Sequence, residues 1–353
     1  MNTLCDCQSI RAAELPDALA VRASSIHVHR KLHASLHAFD VPFELHGDTF
    51  VITTSAASTL RGLLDTFSLN ERADLHAAPH TDNRTDAWQS APLHLWLHRL
   101  ATPWFADVAK HLHFHLQPIV RLTSGEVYGY EALARGRLDS VELGAAVLLE
   151  AAAAHGQARA FDAHARRHAI GTAYPLLQPH ELLFINFAPG VVYNPDICLQ
   201  TTFQACRDVN ADFSRLLFEV TESEAFPDLT LLKAILERYR AQGAKVALDD
   251  LGAGYTSLTF LETLRPDIVK LDRALIRGLH DADPRVDLVA ALVRFAHELG
   301  VQVVIEGVET ERELRFAQEL GADFAQGYFL GRPTSRPAGL ATPAAAFWSS
   351  VQA

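Results

Sequence analysis

Five stretches in the C-terminal two-thirds of the chain are near-continuous apolar runs that stop on a polar group: residues 182–186, 216–219, 246–249, 267–270 and 301–306. Short runs of this kind are expected for strands covered on both faces. Between them lie helical patterns over residues 228–242, 285–299 and 309–320, closed by Gly243, Gly300 and Gly321. Strand, helix, glycine, strand is the rhythm of a parallel sheet. In a barrel of such units the carboxyl ends of all strands converge on one face, where function is built. Glu131, Asn186, Glu219, Asp249 with Asp250, Lys270, Glu306 and Gln326 all fall at expected strand ends. The layout predicts a metal-dependent active site at the mouth of a (β/α) barrel.

Length sets the domain count. A barrel of roughly 240 residues leaves about a hundred of the chain over, so two domains are expected, spanning residues 1–108 and 109–345. The first reads as a small α/β (α+β) module. Residues 29–39 look like an amphipathic helix, residues 43–52 like a hairpin turning at Gly47-Asp48, and residues 93–104 like a helix. Residues 79–86 read as a linker or long loop. A sensory role and a packing or dimerisation role fit this module equally. The alanine patch at residues 151–154 reads as helix surface.

A net charge of −11 disfavours binding to nucleic acid polymers or anionic lipid. A polyanionic substrate would have to be held by local cations or metals. The four cysteines, Cys5, Cys7, Cys198 and Cys206, suggest neither a disulfide framework nor a zinc knuckle, which fits a reducing cytoplasm. No apolar run approaches the ~20 residues that span a bilayer, and no signal peptide is evident, so neither membrane insertion nor export is expected.

Each candidate residue has a plainer reading. Asp249-Asp250 before Gly252 and Gly254 could cap a helix and form a βα turn. Two adjacent acids backed by Glu131, Glu219 and Glu306 on other strands favour cations instead, because clustered negative charge needs them. Adjacent strand residues point to opposite sides, so both aspartates reach one site only if the strand end twists. Lys270 could pair with a carboxylate for structure alone. Near cations its pKa would fall, and it could then orient or deprotonate a water. Asn186 and Gln326 offer neutral oxygen ligands or hydrogen bonds. A competing metal signal is His111, His113 and His115, alternating along one strand as in amidohydrolase barrels. That chemistry also needs late-strand histidines, whereas these strands end in acids, amides and lysine.

Gln117-Pro118-Ile119-Val120, Glu131-Ala132-Leu133, Phe184-Ile185-Asn186-Phe187, Phe218-Glu219-Val220-Thr221-Glu222, residues 249–255, Val269-Lys270-Leu271-Asp272, Glu306-Gly307-Val308-Glu309 and Gln326-Gly327-Tyr328 stand in order along the chain. Together they resemble the EAL family of cyclic-di-GMP phosphodiesterases, over residues 110–335. The resemblance implies a TIM-like (β/α)8 barrel whose first strand runs antiparallel, consistent with an apparent hairpin from His113 through Ser124-Gly125 to Leu133. It implies Glu131, Asn186, Glu219 and Asp249 as ligands of one Mg²⁺ or Mn²⁺, with Asp250 serving a second ion. Glu306 would support metal binding or water activation, and Lys270 would hold or deprotonate the nucleophilic water. Gln326 would position water or phosphate, Gln117 and Arg135 would contact the nucleotide, and Glu222 would anchor the loop after the paired aspartates.

The function so implied is two-metal hydrolysis of cyclic-di-GMP to linear 5′-pGpG in a cytoplasmic homodimer, with Ca²⁺ occupying the site without turnover. The alternative from another class is a receptor or scaffold that binds the nucleotide, or a partner protein, without cleaving it. Such members usually lose an acid or the lysine, and here all are present.

Overall fold

A computed structural model of the chain describes residues 9–12, 14–82, 84–192, 194–221, 228–252, 258–280 and 283–351. Glu222, Gly254 and Tyr255, together with Cys5 and Cys7, lie outside the described residues. The chain forms two compact units: residues 10–111 with 137–158, and residues 112–136 with those from 159 onward.

In the first unit, β1 (Ala18–Ala23), β2 (Glu44–His46), β3 (Thr49–Thr53), β4 (Leu75–Thr81) and β5 (Arg84–Thr85) form an antiparallel sheet in the order β2-β3-β1-β4-β5. A short strand, β6 (Ala91–Pro92), also pairs with β4. Period-two alternation sends Leu19, Val21, Phe50, Ile52, Leu75 and Ala77 to one face. There they meet Val28, Leu32 and Leu36, which recur every fourth residue on the helix Ile26–Ala38. Ser25 starts that helix, its hydroxyl accepting from the Val28 N–H at 3.3 Å. The expected hairpin is β2–β3, with Gly47 at a φ of 64° in its turn.

Two sequence expectations for this unit are corrected. Residues 79–86 are not a linker: Pro79–Thr81 complete β4, Arg84 and Thr85 form β5, and Asp86 donates its N–H to Pro79 O at 3.0 Å. Histidine and alanine fill the outward positions of β4 and hide its alternation. The alanine patch is not helix surface either. In the helix Ala145–Ala154, residues Ala151, Ala152 and Ala154 are at most 1% exposed. Small side chains let this helix close on Leu93–Ala101, whose Arg99 Nε donates to Ala154 O at 2.8 Å.

The second unit is a barrel. It opens with an antiparallel hairpin of β7 (His113–Arg121) and β8 (Val127–Leu138). Next in the chain come β9 (Val141–Gly144) and the helix Ala145–Ala154, both assigned to the first unit. Then β10 (Leu182–Phe187), β11 (Leu216–Thr221), β12 (Lys245–Leu251), β13 (Ile268–Leu271), β14 (Gln302–Ile305) and β15 (Phe324–Gln326) run as parallel neighbours. β8 pairs in parallel with β10, and β15 pairs antiparallel with β7, which closes eight described strands into a TIM-like barrel. The first barrel strand is thus the one that runs against its neighbours.

The strands are apolar on both faces because both are covered. Leu183, Phe218, Val246, Val269 and Val303 face outward against helices contributing Leu232, Ile235, Val289, Val293 and Leu314. The opposite face supplies an inner core of Ile119, Phe184, Leu217, Ala247, Ile268, Val304 and Phe324. Glu131 departs from expectation in one respect. It sits within β8 rather than at its end, because the ladder with β7 continues to Arg135.

Candidate metal centre

The inner core positions the site. On the parallel strands each candidate lies two residues beyond an inner apolar residue: Asn186 after Phe184, Glu219 after Leu217, Asp249 after Ala247, Lys270 after Ile268, Glu306 after Val304 and Gln326 after Phe324. A period of two keeps each pair on one face, so a polar ring stacks on a dry floor. On antiparallel β7 the order reverses and Gln117 precedes Ile119. On β8 the floor position below Glu131 is Gly129, where an added Cβ would come within 2.5 Å of Leu182 O.

Lys270 stands at the centre, 1% exposed. Its Nζ lies 2.6 Å from Glu306 Oε1, 3.0 Å from Glu219 Oε1, 3.0 Å from Asp249 Oδ1 and 3.6 Å from Glu131 Oε2. Two amides fix Glu131: Asn186 Nδ2 donates to Oε1 at 2.7 Å and Gln326 Nε2 to Oε2 at 2.7 Å. The same Gln326 nitrogen reaches Gln117 Oε1 at 3.3 Å, and Gln117 Nε2 donates to Gly331 O at 3.3 Å.

Asp250 joins through a backbone irregularity. The pairing of β12 with β13 slips between Leu248 and Leu251, and Asp250 takes a φ of 59°. A bulge places two consecutive side chains on one side, and oxygens of Asp249, Asp250 and Glu306 lie within 4.8 Å of one another. The paired aspartates thus share a site by a left-handed residue rather than by strand twist alone.

Burial raises Asp250 to about 6, helped by the Asp249 charge. It raises Glu306 to about 8, against the pull of Lys270 and with the push of Asp249 and Glu131. Burial also lifts Glu219 well above the carboxylate range. Glu131 is lowered, because Lys270, Gln326 and Asn186 together outweigh its burial. Burial alone would lower Lys270, but Asp249, Glu131, Glu219 and Glu306 hold its ammonium well above the usual lysine range. The lowered lysine pKa expected from nearby cations is therefore not a property of the polypeptide by itself.

Divalent cations fit this donor set. Glu131, Glu219, Asp249, Asp250 and Glu306 face one ammonium, and Glu219 Oε2 is buried without a hydrogen-bond partner. Hard oxygen donors from carboxylates and an amide suit Mg²⁺ or Mn²⁺. Arg135 lies farther along β8 on the Glu131 face, with Nη1 on Ala134 O at 2.9 Å. His113 and His115 occupy β7 beyond Gln117, their rings 5.8 Å apart.

Beside the cluster is a pocket of about 240 Å³ that shares Gln117, Glu131, Glu306 and Gln326 with it. Asp272, Arg273, Glu309 and Tyr328 complete its wall. The sequence reading gave these no individual role. Their signal was position, since Asp272 and Arg273 directly follow β13 on the face where barrel strands end.

No described helix is long and apolar enough to cross a membrane. A cyclic di-GMP phosphodiesterase of Pseudomonas aeruginosa, NbdA, is 31% identical over 226 residues, covering 63% of this chain and 29% of that protein. The chain spans well under half the length of the curated relatives it matches. The crystal structure of a standalone EAL protein from Vibrio cholerae O395, in its c-di-GMP-bound form, shares 29% identity at a TM-score of 0.59, covering 66% of this chain and 97% of that one. A likeness of fold to Klebsiella pneumoniae BlrP1, at 22% identity and a TM-score of 0.60, covers 92% of this chain and 98% of that one. The EAL domain matches residues 106–333, which carry the whole polar ring, and on that match the chain belongs to the EAL domain family.

Proposed function

We propose that this chain hydrolyses cyclic-di-GMP to linear 5′-pGpG at the acid cluster, with two divalent cations. The carrying observation is the intact ring around Lys270, with Glu131, Glu219, Asp249 and Glu306 all within 3.6 Å of its Nζ. The name of the Pseudomonas relative supplies the substrate. Glu131, Asn186, Glu219 and Asp249 would hold one ion, and Asp250 with Glu306 a second. Bound cations would supply a more acidic water and Lewis-acid stabilisation of the charge developing on phosphate.

The residues divide the remaining work. Glu306, 2.6 Å from Lys270 Nζ and beside Asp249 and Asp250, would support the second ion or the water it activates. Lys270, held as an ammonium by its carboxylates, donates and orients. It could act as a base only when that negative charge is taken up elsewhere. Asn186 and Gln326 fix the Glu131 carboxylate, and Gln117 extends the amide chain towards the pocket. Arg135 would meet the nucleotide beyond the ring, and Glu222 would anchor the loop that follows the aspartates.

Purified protein incubated with labelled cyclic-di-GMP and Mg²⁺ should yield linear product, and none in chelator. Nucleotide that is bound but uncleaved would overturn the hydrolytic reading in favour of a receptor.

A further inference from the structure

Behind the end of β10 lies a buried ion pair that is no part of the acid ring. Asp162 and Arg166 stand four residues apart on the helix Ala158–Thr172, 7% and 2% exposed. Arg166 Nη1 donates to Asp162 Oδ2. Its Nε donates at 3.3 Å to the hydroxyl of Thr202, which is buried on the helix Gln200–Asp208. Asp162 Oδ1 accepts the Ala188 N–H at 3.0 Å. The ladder between β10 and β11 stops at Phe187, so this N–H is the first beyond the strand. The Arg166 guanidinium carbon lies 4.7 Å from the centroid of the Phe187 ring, within cation–π range.

One ion pair thus holds both residues that follow Asn186. Alternation along β10 turns Phe187 outward into the helix-covered core and Asn186 inward onto the ring. The grip is on the back of the strand, and its effect is on the front. Stability is a poor reason for such a pair, because apolar side chains of similar volume often serve as well in its place. They would pack behind Phe187 but leave the Ala188 N–H without its acceptor. What the carboxylate adds is a fixed peptide plane just past Asn186. That residue commits its Nδ2 to Glu131 Oε1 at 2.7 Å, which sets the direction of its own Oδ1. A backbone shift at Phe187 or Ala188 would move both oxygens together.

We propose that Asp162 and Arg166 are positioning residues for the ion held by Asn186 and Glu131, acting through the backbone at Phe187 and Ala188. The assignment rests on the reading of Asn186 and Glu131 as metal ligands. Partners that orient a ligand from outside are worth about tenfold to a hundredfold in metal affinity.

The test is calorimetric titration of the metal-free full chain with Mn²⁺, with thermal melts of the same samples. Two double variants remove both charges and differ in whether Ala188 keeps an acceptor. Asp162→Asn with Arg166→Met retains a side-chain oxygen for the Ala188 N–H and should keep the wild-type Mn²⁺ affinity. Asp162→Leu with Arg166→Met removes that oxygen and should bind Mn²⁺ about tenfold more weakly or worse. Should the leucine variant not fold, Ala188→Pro reads the same contact from the other side. It deletes the N–H after Phe187, a residue already extended, keeps both charges, and should lose about tenfold as well. Unchanged Mn²⁺ affinity in the leucine or proline variant, whatever its melting temperature, overturns the proposal, and so does an equal loss in the two double variants. Hydrolysis of cyclic-di-GMP is scored separately. Turnover with Mn²⁺ affinity unchanged across the variants refutes the positioning role alone. Mn²⁺ binding that follows the expected order without turnover refutes only the hydrolytic reading, and a wild type that binds no Mn²⁺ refutes both.

Discussion

Lys270 Nζ lies 2.6 Å from Glu306 Oε1, and the ammonium fills the space among acids from several strands. Among the described residues, Lys270→Met removes the one cation in contact with this buried group. Leaving buried charge uncompensated costs about 3–5 kcal/mol, so the metal-free variant should melt well below wild type. Mn²⁺ should restore more stability to the variant than to wild type, because it supplies the missing positive charge. Thermal melts with and without Mn²⁺ check this. Equal metal-free stability of the two proteins would contradict the counter-ion role.

Glu131 receives one amide proton on each oxygen, from Asn186 and Gln326. Glu131→Gln keeps one acceptor and puts an NH₂ opposite one of those donors. The unsatisfied contact should cost about 1–3 kcal/mol, read from the denaturation midpoint. Loss of the carboxylate should also reduce hydrolysis by at least about a hundredfold. Product formation by this variant at near wild-type rate would rule out Glu131 as a ligand.

The polar ring was legible because it obeys a period of two. From β10 to β15 each tip residue follows an apolar residue on the same strand face, and the fully apolar strands required helices outside them. Asp250 was only half legible. Its pairing with Asp249 was visible, but a bulge with a φ of 59° depends on how β12 and β13 slip, which no local pattern states. In the first unit the outward positions of β4 carry His76, Ala78 and His80 in place of clearly polar residues, so strand and loop read alike. Arg273 was given no role because its partner Glu309 is brought beside it only by the fold.

Gly129 occupies the inner-core position below Glu131, and its near neighbour is backbone: an added Cβ would lie 2.5 Å from Leu182 O and 2.9 Å from Phe184 Cε2. The β8–β10 pairing that closes the barrel runs through this point, where Leu182 is the partner of Gly129. Gly129→Ala should therefore cost about 1–3 kcal/mol by overpacking and displace Glu131, lowering activity as well. Denaturant titration and hydrolysis should show both losses together, and an alanine variant of unchanged stability would mean that the strands separate freely here.

His155 gives the first unit a pH dependence. Its Nε2 lies 2.9 Å from Thr102 O and so carries the proton, while Nδ1 is buried with no partner. Protonation would add an N–H donor at Nδ1 with nothing to accept it. Burial, reinforced by the charges of Arg99 and His98 and opposed by the Thr102 bond, lowers the His155 pKa below the ordinary 6.5. The unfolded chain thus binds this proton more readily than the folded one. Stability from a neutral His155 is fully present above pH 6.5 and declines as pH falls from there through the lower folded value. Replacing it with glutamine, His155→Gln, removes the titration but keeps a donor for Thr102 O. Wild type should lose more stability than the variant between pH 7 and pH 5, in thermal melts followed by circular dichroism. Parallel pH profiles for the two proteins would show that the ring gains its second proton without cost.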